Sequence, residues 1–266
     1  TNKRDVILDL EHMLERRFIE GFGIDMNQII WKRFYTAEEA LQFLIDLLKT
    51  NCIDYAVLDS VDALQTEIQL KKEAGEDQVG GTSKMLSKAI RTLTKDVAIH
   101  GTTLFFINQI RLNPGQLFGS PETSAGGKSL GYYARLRIKL LPRKDNHPEM
   151  PGAALMRLRI IKNSFGPPLD EDVDLAFRYA KGFDPVFDIE TLAKDLDILR
   201  HSAGQTKVQW SSDTDMVPLL PDIEKGKAAG QQALRDNPQL LERLRHACLR
   251  IAKVPSARPD SDFSGV

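Results

Sequence analysis

Apolar and polar positions along this chain follow two periods, and the switches between them mark its elements. Residues 6–10 are a short apolar run closed by acidic residues, the pattern of a buried strand. Thr36 followed by Glu39 forms a capping box. Behind it Ala40, Leu41, Leu44, Leu47 and Leu48 share one face of a helix that runs through Lys49. The stretch "CIDYAVLDS" predicts a second buried strand, ending at Asp59 and Ser60. Residues 83–99 carry the helical period in Met85, Leu86, Ala89, Ile90, Leu93 and Val97, and "TTLFFINQ" predicts a third buried strand. Strand, helix, strand, helix, strand in this order implies a parallel sheet, because parallel neighbours need crossover connections.

Further on, "ARLRIKLL" and "LMRLRIIK" alternate apolar with basic residues around "PRKDNHPEMPG". They predict a hairpin that extends the same sheet and carries one positively charged face. After Asp188 the pattern shortens into small helices and turns. "IETLAKDLDIL" and "NPQLLERLRHACLRIAK" are amphipathic, with Asn237 and Pro238 marking the start of the second. The expected organisation is a core over residues 1–188, a small α/β domain over 189–253 and a polar tail over 254–266.

Composition adds limits. With 266 residues, 42% of them hydrophobic, the chain can bury one good core and a smaller second one. Lys plus Arg number 36 against 37 Asp plus Glu, which excludes an overall basic nucleic-acid binder, so any DNA contact must come from local clusters. Cys52 and Cys248 fall in helical patterns among apolar neighbours, as reduced core thiols would. No apolar run of membrane length occurs, and no membrane partner is expected. The chain opens "TNKRDVILDLEH" without an initiator Met and is expected to be a fragment.

The candidate chemistry sits at the strand ends. Right-handed crossovers place the carboxyl ends of parallel strands on one edge of the sheet, where open α/β sheets bind ligands. Here those ends supply Asp9 with Glu11, Asp59 with Ser60, and Asn108 with Gln109. A carboxylate there can hold Mg²⁺ through water, a second can activate an attacking water, and an amide can sense a phosphate oxygen. The stretch "SAGGKSLG" at 124–131 looks like the end of a phosphate-cradling loop, but a true one needs glycine five positions before Gly127, where Glu122 stands.

"VLDSVDAL", "GEDQVGGTSKMLSKAIRTL" and "FFINQIRLNPGQLFGSPETSAGGKSLGYYARLRIKL" closely resemble the bacterial RecA recombinase family in order and spacing. "LDLEHML", "IIKN" and "KGKAAGQQALRDNP" extend the match over nearly the whole chain. The resemblance implies a RecA-like α/β fold, a mainly parallel sheet flanked by helices. It also implies a DNA-dependent ATPase that uses ATP and Mg²⁺, forms a helical filament on single-stranded DNA and pairs it with homologous double-stranded DNA in the bacterial or phage-infected cytoplasm. Glu11 would activate water, Asp59 and Ser60 would form the Mg²⁺-side strand end, with Asp59 binding the ion via water, and Gln109 would report the γ-phosphate to the DNA loop. Lys84, Ser87, Arg91, Arg111, Gly126, Gly127 and Lys128 would face DNA, and Phe118 would pack against a neighbouring subunit.

Three departures accompany the resemblance. The family's phosphate loop lies just upstream of the strand that opens this chain, so residues 1–266 alone are expected to lack the main ATP cradle. Of the lysines that complete a neighbour's ATP site, Lys162 is retained, while Gly131 and Ser164 occupy lysine positions. The acidic tail is reduced to Asp260 and Asp262. The alternative reading is a non-hydrolysing RecA-like DNA-binding or regulatory protein. A hexameric helicase-type motor fits the "FGSPETSAGG" loop less well.

Overall fold

The computed structural model describes residues 4–71, 81–112, 122–124, 128–146, 153–166, 172–179, 181–202, 205–209, 217–218 and 227–252. The chain divides into two units. One comprises Thr1–Ile138 with Ile160–Leu169, and the other Lys139–Arg159 with Asp170–Val266.

In the first unit, β1 (Arg4–Asp9) is followed by the short helix α1 (Arg16–Gly21), β2 (Ile29–Arg33), α2 (Ala37–Lys49) and β3 (Ile53–Asp59). Next come a single helical turn, α3 (Glu67–Leu70), the long helix α4 (Gly81–His100) and β4 (Thr103–Phe106). The four strands form a parallel sheet in the order β2-β1-β3-β4. Thr36 caps α2 in extended geometry, its hydroxyl accepting from the Glu39 amide at 3.2 Å. The apolar faces that the periodicity marks are the ones buried: Leu44 and Leu48 of α2 and Leu86 and Leu93 of α4 pack with Leu8, Ile53 and Leu58 of the sheet. Each such side chain stabilises the fold by roughly 1.5–3 kcal/mol.

Two expectations are corrected here. β4 is not a buried strand: Thr103 and Phe105 are exposed, because β4 is the last strand in the sheet order. Cys52 is exposed in the turn before β3, outside any helix. After Gln109, β5 (Ile110–Leu112) pairs antiparallel with β6 (Glu122–Ser124). The five-residue α5 (Ser129–Tyr133) follows.

The predicted hairpin is present as β7 (Leu136–Asn146) and β8 (Ala153–Asn163), but it does not extend the parallel sheet. It belongs to a separate sheet in the order β10-β9-β8-β7, with β9 (Val173–Arg178) and β10 (Gly182–Phe183). β9 runs antiparallel to both β8 and β10. Part of its expected positive face is neutralised. The Arg159 guanidinium grips Asp172 through two bonds of 2.7 Å. Arg157 binds Asp174 at 3.0 and 3.4 Å, and Arg143 binds the same carboxylate. β9 and the residue before it thus supply counter-charges that the hairpin's own sequence does not show.

The second unit also holds α6 (Pro185–Asp195), β11 (Leu199–Ser202), β12 (Gln205–Val208), β13 (Val217–Pro218), α7 (Lys227–Asp236) and α8 (Pro238–Ile251). α6 starts four residues before the amphipathic segment at 189–199, because Asp184 caps it and Pro185 opens its first turn. It also ends sooner, with Asp197 in left-handed geometry and Leu199 already in a strand. Asn237 caps α8 as its sequence implies, accepting from the Leu240 amide at 3.0 Å. Val186, Ile198, Leu199, Val208, Leu234, Leu244 and Cys248 form this unit's core, and burial pushes the Cys248 thiol up to about 11.

Candidate functional site

β1 and β3 lie in register with Asp9 opposite Asp59, so both strands present a carboxylate at the same edge. The chain beyond them stays tied together. The Leu10 amide donates to Asp59 O at 2.7 Å, and Ile107 and the β3 end exchange bonds through Ile107 N to Leu58 O and Val61 N to Ile107 O. This backbone stitching brings three distant side chains to one point. Glu11 Oε1 accepts from Ser60 Oγ at 2.5 Å and from Gln109 Nε2 at 3.3 Å. Four sequence-predicted residues, Glu11, Asp59, Ser60 and Gln109, therefore share the sheet edge.

Asp59 is half-buried, and its carboxylate accepts no hydrogen bond among the described residues. Burial first, then the nearby Glu11 and Asp9 charges, hold its carboxyl above the ordinary range. A carboxylate in that condition gains from a cation. Mg²⁺ takes oxygen ligands and is usually held through one or two carboxylates plus water, so Asp59 and Ser60 offer a suitable donor set. No group of three His, Cys, Asp or Glu side chains with metal-binding geometry occurs among the described residues.

Asp9 itself is fully buried and already partnered, by Arg33 Nε at 3.2 Å and the His12 amide at 2.7 Å. His12 sits at φ 58, and its ring is fixed on Phe34 O at 2.8 Å. Sequence reasoning missed these supports. Recognising β2 would have found Arg33, since its last residue lies in register with Asp9.

The second group of candidates lies on α4. Lys84 and Arg91 are exposed and make no hydrogen bond or ion pair among the described residues. Ser87 is half-buried and its hydroxyl is spent on Ser83 O at 2.7 Å. Arg111 lies in β5 opposite Thr123. Lys128 is exposed at the start of α5, while Phe118, Gly126 and Gly127 lie outside the described residues. The strand before Lys128 is the antiparallel β6, not a parallel strand feeding a helix, so the phosphate-loop reading of "GGKS" lacks its structural context.

An acidic sheet edge and an exposed basic helix on one α/β core invite comparison with known proteins. A family model described as RecA N-terminal domain matches residues 1–184. The chain belongs to the RecA family. Protein RecA of Porphyromonas gingivalis is 32% identical over 242 residues, covering 90% of this chain and 67% of that protein. Protein RecA of Thermus thermophilus is 30% identical over 249 residues, covering 92% and 69%. Protein RecA of Deinococcus radiodurans is 33% identical over 201 residues, covering 74% and 54%.

Lys162, expected to complete a neighbouring subunit's ATP site, bonds within its own chain. Its ammonium donates to Gly131 O at 3.1 Å and Tyr132 O at 2.8 Å, on α5. Gly131 lies under Arg137, whose Nη1 is 3.3 Å from where a side chain's Cβ would stand. Ser164 donates its amide to Arg135 O at 2.8 Å, and the Arg135 guanidinium stacks over Phe165. Arginines thus flank both positions at which lysine was expected. Among the described residues no helix is long and apolar enough to cross a membrane.

Proposed function

We propose that this chain belongs to a RecA-type recombinase that binds ATP with Mg²⁺, assembles into a helical filament on single-stranded DNA and pairs that strand with homologous duplex in the cytoplasm. The observation that carries the reading is the convergence of Glu11, Ser60 and Gln109, which are 49 and 98 residues apart along the chain.

In this reading Glu11 is the general base. Its Oε1 is fixed by Ser60, which aims the carboxylate and leaves the second oxygen to accept a proton from water attacking the terminal phosphate. Asp59 and Ser60 would hold the cation, which when bound neutralises charge on the phosphate oxygens. Gln109 is the link to DNA. Its amide can serve either Glu11 or a phosphate oxygen, and the β5–β6 pair begins at the next residue. A change of partner at Gln109 is therefore felt by the backbone that carries Arg111 and leads on to Gly126, Gly127 and Lys128. Phe118 packs against a neighbouring subunit, and the core, small domain and tail divide near residues 188 and 253.

The test is Glu11→Gln in the intact protein. DNA-stimulated ATP turnover is expected to fall on the order of a hundredfold or more, while ATP affinity changes little, because a base acts in the transition state. Unchanged turnover would reduce Glu11 to a strand-end acid.

A further inference from the structure

The basic row on α4 is longer than Lys84 and Arg91. Lys84, Lys88, Arg91 and Lys95 follow one another at spacings of four, three and four residues. At about 100° per residue all four fall within an arc of about 60°, and at about 1.5 Å per residue they extend over about 16 Å. All four are exposed, and none makes a hydrogen bond or ion pair among the described residues.

Several basic residues on other helices meet an acid three or four residues away. Arg16 meets Glu20 on α1, Lys49 meets Asp46 on α2, Lys194 meets Glu190 on α6 and Arg245 meets Glu242 on α8. On α4 the neighbours at these spacings are themselves cations, and like charges three or four residues apart are unfavourable. The one acid of the helix, Asp96, lies about 100° round from Lys95 and pairs with none of the four. Burial of Leu86, Ala89, Ile90 and Leu93 holds the opposite face in place and accounts for the helix, but it asks only that the outer face be polar. A line of uncompensated cations fits an anion whose charges also repeat along a line. A single phosphate would be satisfied by two of them.

We propose that Lys88 and Lys95 join Lys84 and Arg91 in holding the backbone of single-stranded DNA, which makes three turns of α4 a continuous phosphate track. The proposal rests on the reading of Lys84 and Arg91 as DNA contacts. The added contacts go to phosphate oxygens, so they raise affinity without base preference.

The experiment measures binding of fluorescein-labelled oligodeoxythymidylate by anisotropy over a range of salt concentrations, with melting temperature recorded for each variant. Lys88→Gln/Lys95→Gln is expected to lower the slope of log affinity against log salt by about 1.4, since each single-strand phosphate contact contributes about 0.7. A mixed-sequence oligonucleotide should show the same fall. Lys88→Arg/Lys95→Arg should keep the slope, and a fall in that variant too would overturn the proposal. If Lys84→Gln/Arg91→Gln lowers the slope while Lys88→Gln/Lys95→Gln does not, the track is wrong and the shorter DNA contact stands. If neither pair lowers it, both readings fall.

Discussion

Lys84 and Arg91 on α4 and Arg157 and Arg159 on β8 are all solvent-accessible cations on regular elements, yet their surroundings are opposite. The β8 arginines are clamped by Asp172 and Asp174 in paired hydrogen bonds, whereas the α4 cations face solvent with no acid bonded to them among the described residues. Fork-to-carboxylate pairing fixes both geometry and charge, so the β8 row is spent on holding β9 in register. The α4 row is left to bind something else. Counting basic residues along the sequence would rank the two alike, and only the partners separate a structural cation from a ligand-binding one.

Titration sharpens the contrast. The bond from Arg159 holds Asp172 below the ordinary carboxylate range, and bonds from Arg157 and then Arg143 do the same for Asp174. A carboxyl depressed in the folded state stabilises above its unfolded value and loses that effect as pH falls through the folded one. The β8–β9 pairing should therefore be at full strength above about pH 4 and fade below it.

The largest effect on the paired side is expected at Asp184. It is 3% exposed, caps α6, and binds Arg178 at 2.7 Å and Arg235 at 2.9 Å. Burial alone would raise its carboxyl, but the Arg235 bond and charge, the Phe187 amide and Arg178 outweigh that and hold it low. Asp184→Ala leaves two arginines without their counter-charge and should destabilise by about 3 kcal/mol at neutral pH, measured by urea unfolding. A loss under 0.5 kcal/mol would mean that such pairs are incidental.

A smaller effect of opposite sign is expected one turn along the same helix. Burial, opposed by the Ala176 amide and aided by the Asp184 charge, raises the Asp188 carboxyl to about 6. Because the folded state holds this proton more tightly than the unfolded state, stability is lost as pH rises from about 4 to about 6. Asp188→Asn keeps an acceptor for Ala176 and should stabilise by about 1 kcal/mol above pH 6, discounted for partial exposure, with no gain near pH 4. Unfolding curves at the two pH values would show it.

How far the chain could be read in advance follows the same division between local and distant causes. α2 and α8 were legible because Thr36 and Asn237 cap them within three residues, and α4 because its apolar period is long. Glu11, Asp59, Ser60 and Gln109 were legible because strand ends in a parallel sheet share an edge. α1 has no side-chain cap, and β2 is a half-exposed five-residue strand, so neither stood out, and Arg33 was lost with β2. The neutralisation of Arg143, Arg157 and Arg159 was illegible for a different reason. The counter-charges arrive from β9, and strand order decides that pairing, not spacing within the hairpin. Lys88 and Lys95 obey the same helical spacing as Lys84 and Arg91, and that signal was present in the sequence all along.

The most direct test of this account is the salt dependence of single-stranded DNA affinity for Lys84→Ala/Arg91→Ala beside Arg157→Ala/Arg159→Ala. The α4 pair should lower the slope of log affinity against log salt by about 1.4 and leave the melting temperature unchanged, while the β8 pair should lower the melting temperature and leave the slope unchanged. A slope that falls in the β8 variant and holds in the α4 variant would contradict the account.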